Sequence, residues 1–147
     1  MSKLIGAGIL AIDKQTGRIL MVLRNFNAYN TIDGNCFAPA GGTFKDSDKT
    51  PRNTAIREFI EETGCRETFL LSNMPIYKNE NNHITFYTYL GLFDRQFQVI
   101  INSENRDYEW FDIDHLPENL LIGVQELIRD KKNDIKQFIS LHCDLPL

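Results

Sequence analysis

Short apolar runs alternate with polar, turn-rich stretches in the N-terminal part of the chain. Residues 4–12 and 19–23 are apolar and are joined by turn residues, which predicts a β-hairpin. A polar loop over 25–35 leads into a short strand near 36–39 and then into a turn at the glycines 41–42. This order of strand, turn and strand favours an α/β or α+β protein.

Further strands and a helical tail follow downstream. Alternating polarity with β-branched and aromatic residues predicts strands at 69–77, 83–93, 97–101 and 108–113. Apolar residues at helical spacing over 117–139, with a polar break at 131–133, predict one or two packing helices. Because strands and helices alternate without a break in composition, we expect residues 1–147 to form a single domain.

One helix carries clear signals for both of its ends. Thr50 supplies a capping oxygen, Pro51 fits the first helical turn, and Gly64 marks the end. At about 100° per residue, one arc of this helix is predicted to face the core. That arc comprises Ala55, Ile56, Phe59, Ile60 and Thr63.

The opposite side of the same helix is acidic. Glu58, Glu61 and Glu62 stand at i, i+3 and i+4, so their carboxylates repel one another unless a cation lies between them. A hard divalent ion such as Mg²⁺ prefers oxygen ligands and is often shared with substrate phosphates. The spacing therefore indicates either a metal site or a solvated acidic helix face.

Composition and charge limit the classes of protein to which the chain can belong. With 42% hydrophobic and 24% charged residues the chain is in the globular range, and its apolar runs are too short to span a membrane. A net charge of −4 argues against polymeric nucleic acid as a partner and leaves small phosphorylated ligands open. The chain has three widely spaced cysteines, Cys36, Cys65 and Cys143. An odd number at this spacing indicates reduced thiols and a cytoplasmic location.

Residues 57–65, REFIEETGC, resemble the second half of the Nudix box, which that family writes as R-E-U-x-E-E-x-G-U with U apolar. The likeness extends to the Pro-x-Gly-Gly approach at 39–42, to Trp110-Phe111, and to Leu116-Pro117. It implies a Nudix-type α/β/α sandwich, in which a mixed β-sheet lies between the box helix and a C-terminal helix.

The first half of the box departs from the family pattern, which expects a Gly, five residues, a Glu, seven residues and then the Arg. Lys49 stands at the Glu position, and six residues separate it from Gly42. Asp46 or Asp48 could supply the missing carboxylate, while Lys49 could contact a phosphate or be solvated. The three glutamates of the second half match the family pattern.

The resemblance implies Mg²⁺-dependent hydrolysis of a pyrophosphate bond, with Mn²⁺ as a substitute. The substrate would be a nucleoside diphosphate linked to another moiety, such as ADP-ribose, a dinucleoside polyphosphate or a nucleotide sugar. Glu58, Glu61 and Glu62 would hold the metal, and Arg57 would orient their carboxylates or form a structural salt bridge. Glu104 is our choice for the general base, ahead of Glu109 and His83.

Substrate contacts are less defined by the sequence. Arg24 is the predicted phosphate contact, and Gly41 and Gly42 are assigned to substrate binding. Phe26, Tyr29, Phe86 and Tyr87 could stack a base or belong to the core. Pro75 and Tyr77 lie in a segment that some subfamilies use for specificity.

Two other functions remain open. A Nudix-fold nucleotide-binding or regulatory module would have lost turnover, consistent with the change at Lys49 and the longer loop. RNA cap removal is disfavoured by the acidic charge. The expected partner is a small nucleotide. Nudix proteins often dimerise, so the resemblance is also compatible with a homodimer.

Overall fold

The structure is a computed structural model that describes residues 3–25 and 34–145. Within these residues eight strands form one sheet. The strands are β1 (Leu4–Asp13), β2 (Ile19–Arg24), β3 (Phe37–Ala38), β4 (Ala40–Thr43), β5 (Leu70–Leu71), β6 (Tyr77–Glu80), β7 (Ile84–Phe93) and β8 (Asn105–Phe111). The helices are α1 (Pro51–Thr63) and α2 (Ile122–His142), and a short 3-10 helix covers Asp46–Asp48.

The sheet is mixed and it forks near its centre. β1 lies parallel to β7 over its whole length, whereas the other pairings are antiparallel. β1 pairs with β2 only at Ile12–Ile19, and its N-terminal half pairs with β4 instead, while β3 pairs with β2. The chain therefore crosses from one branch of the fork to the other at Pro39.

The two helices cover opposite faces of this sheet. Ala55 and Phe59 of α1 pack into one core with Ala7, Ile9 and other residues from the same side of β1. Val124, Leu127, Ile135 and Ile139 of α2 pack into a second core on the other face. The predicted α/β/α sandwich with a mixed sheet is confirmed.

Local signals predicted α1 well and the glycine pair badly. Thr50 accepts a hydrogen bond from the Asn53 backbone N–H at 3.1 Å, and Gly64 ends the helix in the left-handed conformation. Gly41 and Gly42, which we expected in a turn, lie inside β4 and pair with β1. A side chain at Gly41 would meet the Ala7 carbonyl oxygen at 2.5 Å, so the close approach of the two strands requires glycine there.

The predicted strand at 69–77 is interrupted. Ser72 and Ile76 donate backbone hydrogen bonds to Leu90 and Thr88 of β7 at 2.9 and 2.8 Å, so the register resumes after a bulged segment. Pro75, which has no N–H, lies inside this bulge. The result is two short edge strands, β5 and β6, in place of one.

The predicted strand at 97–101 is wrong, although its alternating polarity is correct. Phe97 and Ile101 pack against the α1 core and Val99 is buried in it, while Ile100 is exposed. The segment has no strand partner in the described chain and is attached through the Ile100 N–H, which donates to the Thr63 carbonyl at 2.8 Å. Alternation predicted which side chains are buried but not what they pair with.

The helical tail is one continuous helix. α2 runs through the polar residues 131–133 without a break, because those residues lie on its outer face. None of the described helices is long and apolar enough to cross a membrane.

Candidate active site

A cleft of about 710 Å³ opens beside the fork of the sheet. At one end it is lined by β4, by α1 through Glu58 and Glu62, and by the loop that precedes β8. At the other end it is lined by β6, β7 and the first turns of α2. The cleft therefore spans both helices and both branches of the fork.

The two glycines of β4 bring α1 close to the cleft. A Cβ atom at Gly42 would lie 2.5 and 2.7 Å from the carboxylate oxygens of Glu58, so this carboxylate occupies the space that a side chain would fill. The Gly41 N–H donates to Glu62 Oε2 at 2.7 Å. Both carboxylates thus lie directly against the β4 backbone.

Glu62 is the most enclosed of the three box glutamates, with only 4% of its surface exposed. Its second oxygen, Oε1, accepts a hydrogen bond from Asn105 Nδ2 at 3.0 Å. Burial raises the pKa of Glu62 to about 7, against these two hydrogen bonds, and the charges of Glu104 and Glu58 raise it further. Desolvation likewise raises the pKa of Glu58.

The burial pattern of α1 differs from the predicted arc. Ala55, Phe59 and Thr63 are buried as expected, but Ile60 is 44% exposed. Glu62, which we placed on the acidic side opposite the core, is buried because Gly41 and Asn105 donate hydrogen bonds to its carboxylate there. Hydrogen-bond donors from other strands therefore override the simple hydrophobic arc.

Arg57 connects the carboxylates of this region. Its Nη1 donates to Glu58 Oε1 at 2.8 Å and lies 3.3 Å from Glu61 Oε2, and its Nη2 donates to the Thr43 carbonyl at 3.1 Å. These bonds are the ones expected both of the orienting role and of the structural salt bridge. They also hold Glu61 to Arg57, and its half-exposed side chain is not part of the cleft wall.

Asp48 is the main partner of Arg57. It accepts from Arg57 Nε at 2.7 Å and from Nη2 at 2.8 Å, and its side chain is 5% exposed. The Arg57 guanidinium holds the pKa of Asp48 well below its usual range. Of the alternatives for the missing box carboxylate, the structure brings Asp48 to Arg57, while Asp46 and Lys49 are exposed.

The spacing around Asp48 locates the extra residue of the box. Five residues separate Gly42 from Asp48, as the pattern requires before its acid, and eight then separate Asp48 from Arg57. The extra residue is therefore Lys49, which follows the 3-10 helix with a positive φ of 70°. Aspartate is one methylene shorter than glutamate, so a shorter acid and an added residue occur together.

Glu104 and Arg24, our choices for the general base and the phosphate contact, both lie on the cleft wall. The backbone carbonyl of Glu104 accepts from the Asn25 N–H at 2.9 Å, which ties its loop to the end of β2. The charge of Glu104 raises the pKa of both Glu58 and Glu62, so the three carboxylates share one electrostatic environment. Lys45 also lines the cleft, where we had considered Lys49 for a phosphate contact.

The remaining predicted residues divide between the cleft and other places. Phe86 lines the cleft, whereas Tyr87 packs on the α1 side of the sheet. His83 is exposed, and Glu109 lines a separate shallow depression. Phe26 and Tyr29 lie outside the described residues.

Asn105 is the residue that sequence reasoning missed. It is buried at the start of β8 and donates to Glu62. It stands in the polar stretch 102–107, where no local pattern marks one asparagine as the partner of a distant glutamate.

The chemistry of the donor set fits a hard divalent cation. Glu58 and Glu62 present carboxylate oxygens at one end of the cleft, and burial together with the nearby charges raises the pKa of both groups. Across residues 3–25 and 34–145, no three acidic, histidine or cysteine side chains already stand close enough to bind an ion. The assignment of the metal to Glu58, Glu61 and Glu62 therefore stays a prediction.

Together the fold and the cleft define an α/β/α sandwich with a cleft at the fork of its sheet, one end of which is acidic. The model of the NUDIX domain matches residues 2–131, and the chain therefore belongs to the Nudix family. This confirms the resemblance drawn from residues 57–65 and the expectation of a Nudix pyrophosphohydrolase. A comparison with curated proteins gives no match.

Solved structures share the fold at low sequence identity. The MutT protein from Methanosarcina mazei Go1 is 17% identical with a TM-score of 0.71, over 92% of this chain and 99% of that one. An Ap4A hydrolase from C. elegans is 14% identical with a TM-score of 0.72, over 90% and 98%.

A third structure contains a metal. A bifunctional NMN adenylyltransferase/ADP ribose pyrophosphatase from Francisella tularensis, complexed with AMP and a Mn ion, is 18% identical with a TM-score of 0.62, over 91% and 42%. Nudix hydrolases generally use divalent metals.

Proposed function

We propose that this protein hydrolyses a pyrophosphate bond in a nucleoside diphosphate linked to another moiety, with Mg²⁺ bound by the box glutamates. The observation that carries the proposal is the convergence of Glu58, Glu62 and Glu104 on one cleft that also contains Arg24. The names of the solved neighbours, an Ap4A hydrolase and an ADP ribose pyrophosphatase, support this substrate class. The cysteine pattern favours the cytoplasm as its location.

The bound metal would supply positive charge to the phosphate oxygens, which otherwise repel an attacking nucleophile. Glu58 and Glu62 would hold it, joined by Glu61 once that side chain leaves Arg57. Arg57 and Asp48 position Glu58, and the Gly41 N–H and Asn105 fix Glu62. Each ligand is thus oriented by a neighbour before substrate arrives.

The reaction requires a proton acceptor and a stabilised leaving group. Glu104 accepts a proton from water, the water oxygen bonds to phosphorus, and the bridging P–O bond breaks with its electrons on the departing phosphate. Arg24 and the cations on the cleft wall stabilise the negative charge that develops.

The experiment is a phosphate- and nucleotide-release screen of the purified protein with and without Mg²⁺. The panel contains ADP-ribose, dinucleoside polyphosphates, nucleotide sugars, dinucleotide cofactors and nucleoside triphosphates. We expect metal-dependent cleavage of one group and its loss in Glu62→Gln. Nucleotide binding without hydrolysis at any Mg²⁺ or Mn²⁺ concentration, in folded protein, would instead establish a binding module.

A further inference from the structure

The cleft continues past the carboxylates to an end that the proposed reaction does not use. We propose that this end is a nucleobase subsite, in which a purine stacks on Phe86 and guanine is selected by acceptor atoms of Asn79 and Glu126. The inference rests on the proposed function for the identity of the ligand as a nucleotide. It assigns to these residues a role in choosing the substrate.

The floor of the subsite is an aromatic ring lying across glycines. Phe86 of β7 is paired with Gly6 of β1, and its ring lies 2.7 Å from the position that a Gly6 Cβ would occupy. The same ring lies 3.2 and 3.0 Å from the corresponding positions at Gly8 and Gly41. Because these three residues have no side chains, the half-buried Phe86 ring extends over β1 towards β4 as a flat surface in the cleft.

A flat aromatic surface in a phosphate-hydrolysing cleft suits a base. Stacking of a nucleobase on an aromatic side chain contributes about 1–3 kcal/mol per base. A core role would instead cover the ring with another element, yet Phe86 belongs to neither buried core.

Thr88 adds a polar group to the cleft wall beside this floor. It follows Phe86 on the same face of β7, lines the cleft and is only 3% exposed. Its hydroxyl has no hydrogen-bond partner within the described part of the chain. Among the described residues no side-chain nitrogen or oxygen is both buried and without a partner, so this hydroxyl is accessible from the cleft and offers a polar contact to a ligand.

Two acceptors lie next to this floor. Asn79 of β6, paired with Phe86, donates through Nδ2 to the Gly123 carbonyl at 3.0 Å, which fixes the amide and leaves Oδ1 without a donor among the described residues. Glu126 lies one turn further along α2, lines the cleft, and forms no hydrogen bond or ion pair in residues 3–25 or 34–145. By contrast, Glu80 is already bonded to Lys3 and Thr85.

An acceptor-rich wall favours a base that presents donors. Guanine carries N1–H and an amino group side by side, whereas adenine presents one amino group beside an acceptor nitrogen. A carboxylate can accept both guanine donors at once, as it does from the two N–H groups of arginine. Adenine would place its ring nitrogen against a carboxylate oxygen and lose that second bond.

The test is calorimetric binding of the products GMP and AMP to the full chain, alongside the KM of matched guanosine- and adenosine-diphosphate sugars. We expect GMP to bind about tenfold or more tightly than AMP, since a bidentate contact discriminates bases by about 1–3 kcal/mol. Glu126→Gln should remove most of this preference. Glu118→Gln, which removes the same charge from an exposed site outside the cleft wall, should leave it unchanged.

Two further variants test the floor. Phe86→Leu should weaken GMP and AMP binding alike, by about tenfold, and Thr88→Val, which removes a hydroxyl accessible from the cleft, should weaken GMP binding. Equal binding of GMP and AMP, or full affinity in both Phe86→Leu and Glu126→Gln, would overturn the subsite. Hydrolysis without base preference refutes only this inference, whereas guanine-selective binding without hydrolysis supports the subsite and refutes the proposed function.

Discussion

Adding one methyl group at Gly42 should inactivate the enzyme without unfolding it. In Gly42→Ala the new Cβ would stand 2.5 and 2.7 Å from the Glu58 oxygens, where ordinary contact begins at 3.4 Å. The carboxylate must therefore move by about 1 Å, and a displacement of that size in an active site can cost about 100-fold in rate. The 2.8 Å bond from Arg57 to Glu58 would be strained by the same movement.

The free energy of unfolding of Gly42→Ala should stay the same or rise, although its activity falls. The atoms that yield are the end of a flexible side chain, and Gly42 does not have a left-handed backbone conformation. Replacing such a glycine by alanine removes freedom from the unfolded chain and stabilises by about 0.4–1 kcal/mol. Denaturant unfolding should show equal or greater stability beside the loss of kcat/KM.

A second substitution separates the Glu58 effect from other effects on β4. Glu58→Asp withdraws the carboxylate by about 1.5 Å, one carbon–carbon bond, and makes room for the methyl group. We expect Gly42→Ala to cost activity in the wild-type background and almost nothing in the Glu58→Asp background. Equal losses in both backgrounds, or wild-type activity in Gly42→Ala, would refute the reasoning.

Three other predictions concern the same site. Turnover should fall in Asp48→Glu and in the variant that lacks Lys49. The double variant should recover turnover, because it restores the Gly-x5-Glu-x7-Arg spacing of the family. Unchanged turnover after the deletion alone would contradict this. Glu62→Gln should reduce kcat by about 100-fold or more, measured across a Mg²⁺ titration. The amide must lose one of the two hydrogen bonds that Glu62 accepts, because only its oxygen can accept. Glu104→Gln should reduce kcat by about 10²–10⁴-fold with unchanged Mn²⁺ affinity by electron paramagnetic resonance, while Glu109→Gln, outside the cleft, should have no effect; a loss under tenfold would assign the base to another residue.

The box helix shows what local sequence can predict. Its ends follow from Thr50, Pro51 and Gly64, whose preferences depend on their own backbone neighbours. The spacing of the glutamates along one helix is likewise a property of the chain. Both could be recognised without knowledge of any distant residue.

Segments that depend on distant partners were predicted less well. Residues 97–101 alternate in polarity and bury the expected side chains, but no strand lies beside them within the described residues. The glycines 41–42 have the composition of a turn, yet they pair with β1 because only residues without side chains allow that approach. Pairing depends on residues far away in the sequence, which periodicity does not contain.

The sequence by itself determined the family, the acidic helix and the ends of that helix, since these depend on local spacing. Only the tertiary structure decided which carboxylates enter the cleft: Glu62 is buried against Gly41 and Asn105, while Glu61 is held outside by Arg57. It also brought Asp48, rather than Asp46 or Lys49, into an ion pair with Arg57. The physical reason is that a buried charge takes its position from donors on other elements, and those donors are brought together only by the folded sheet.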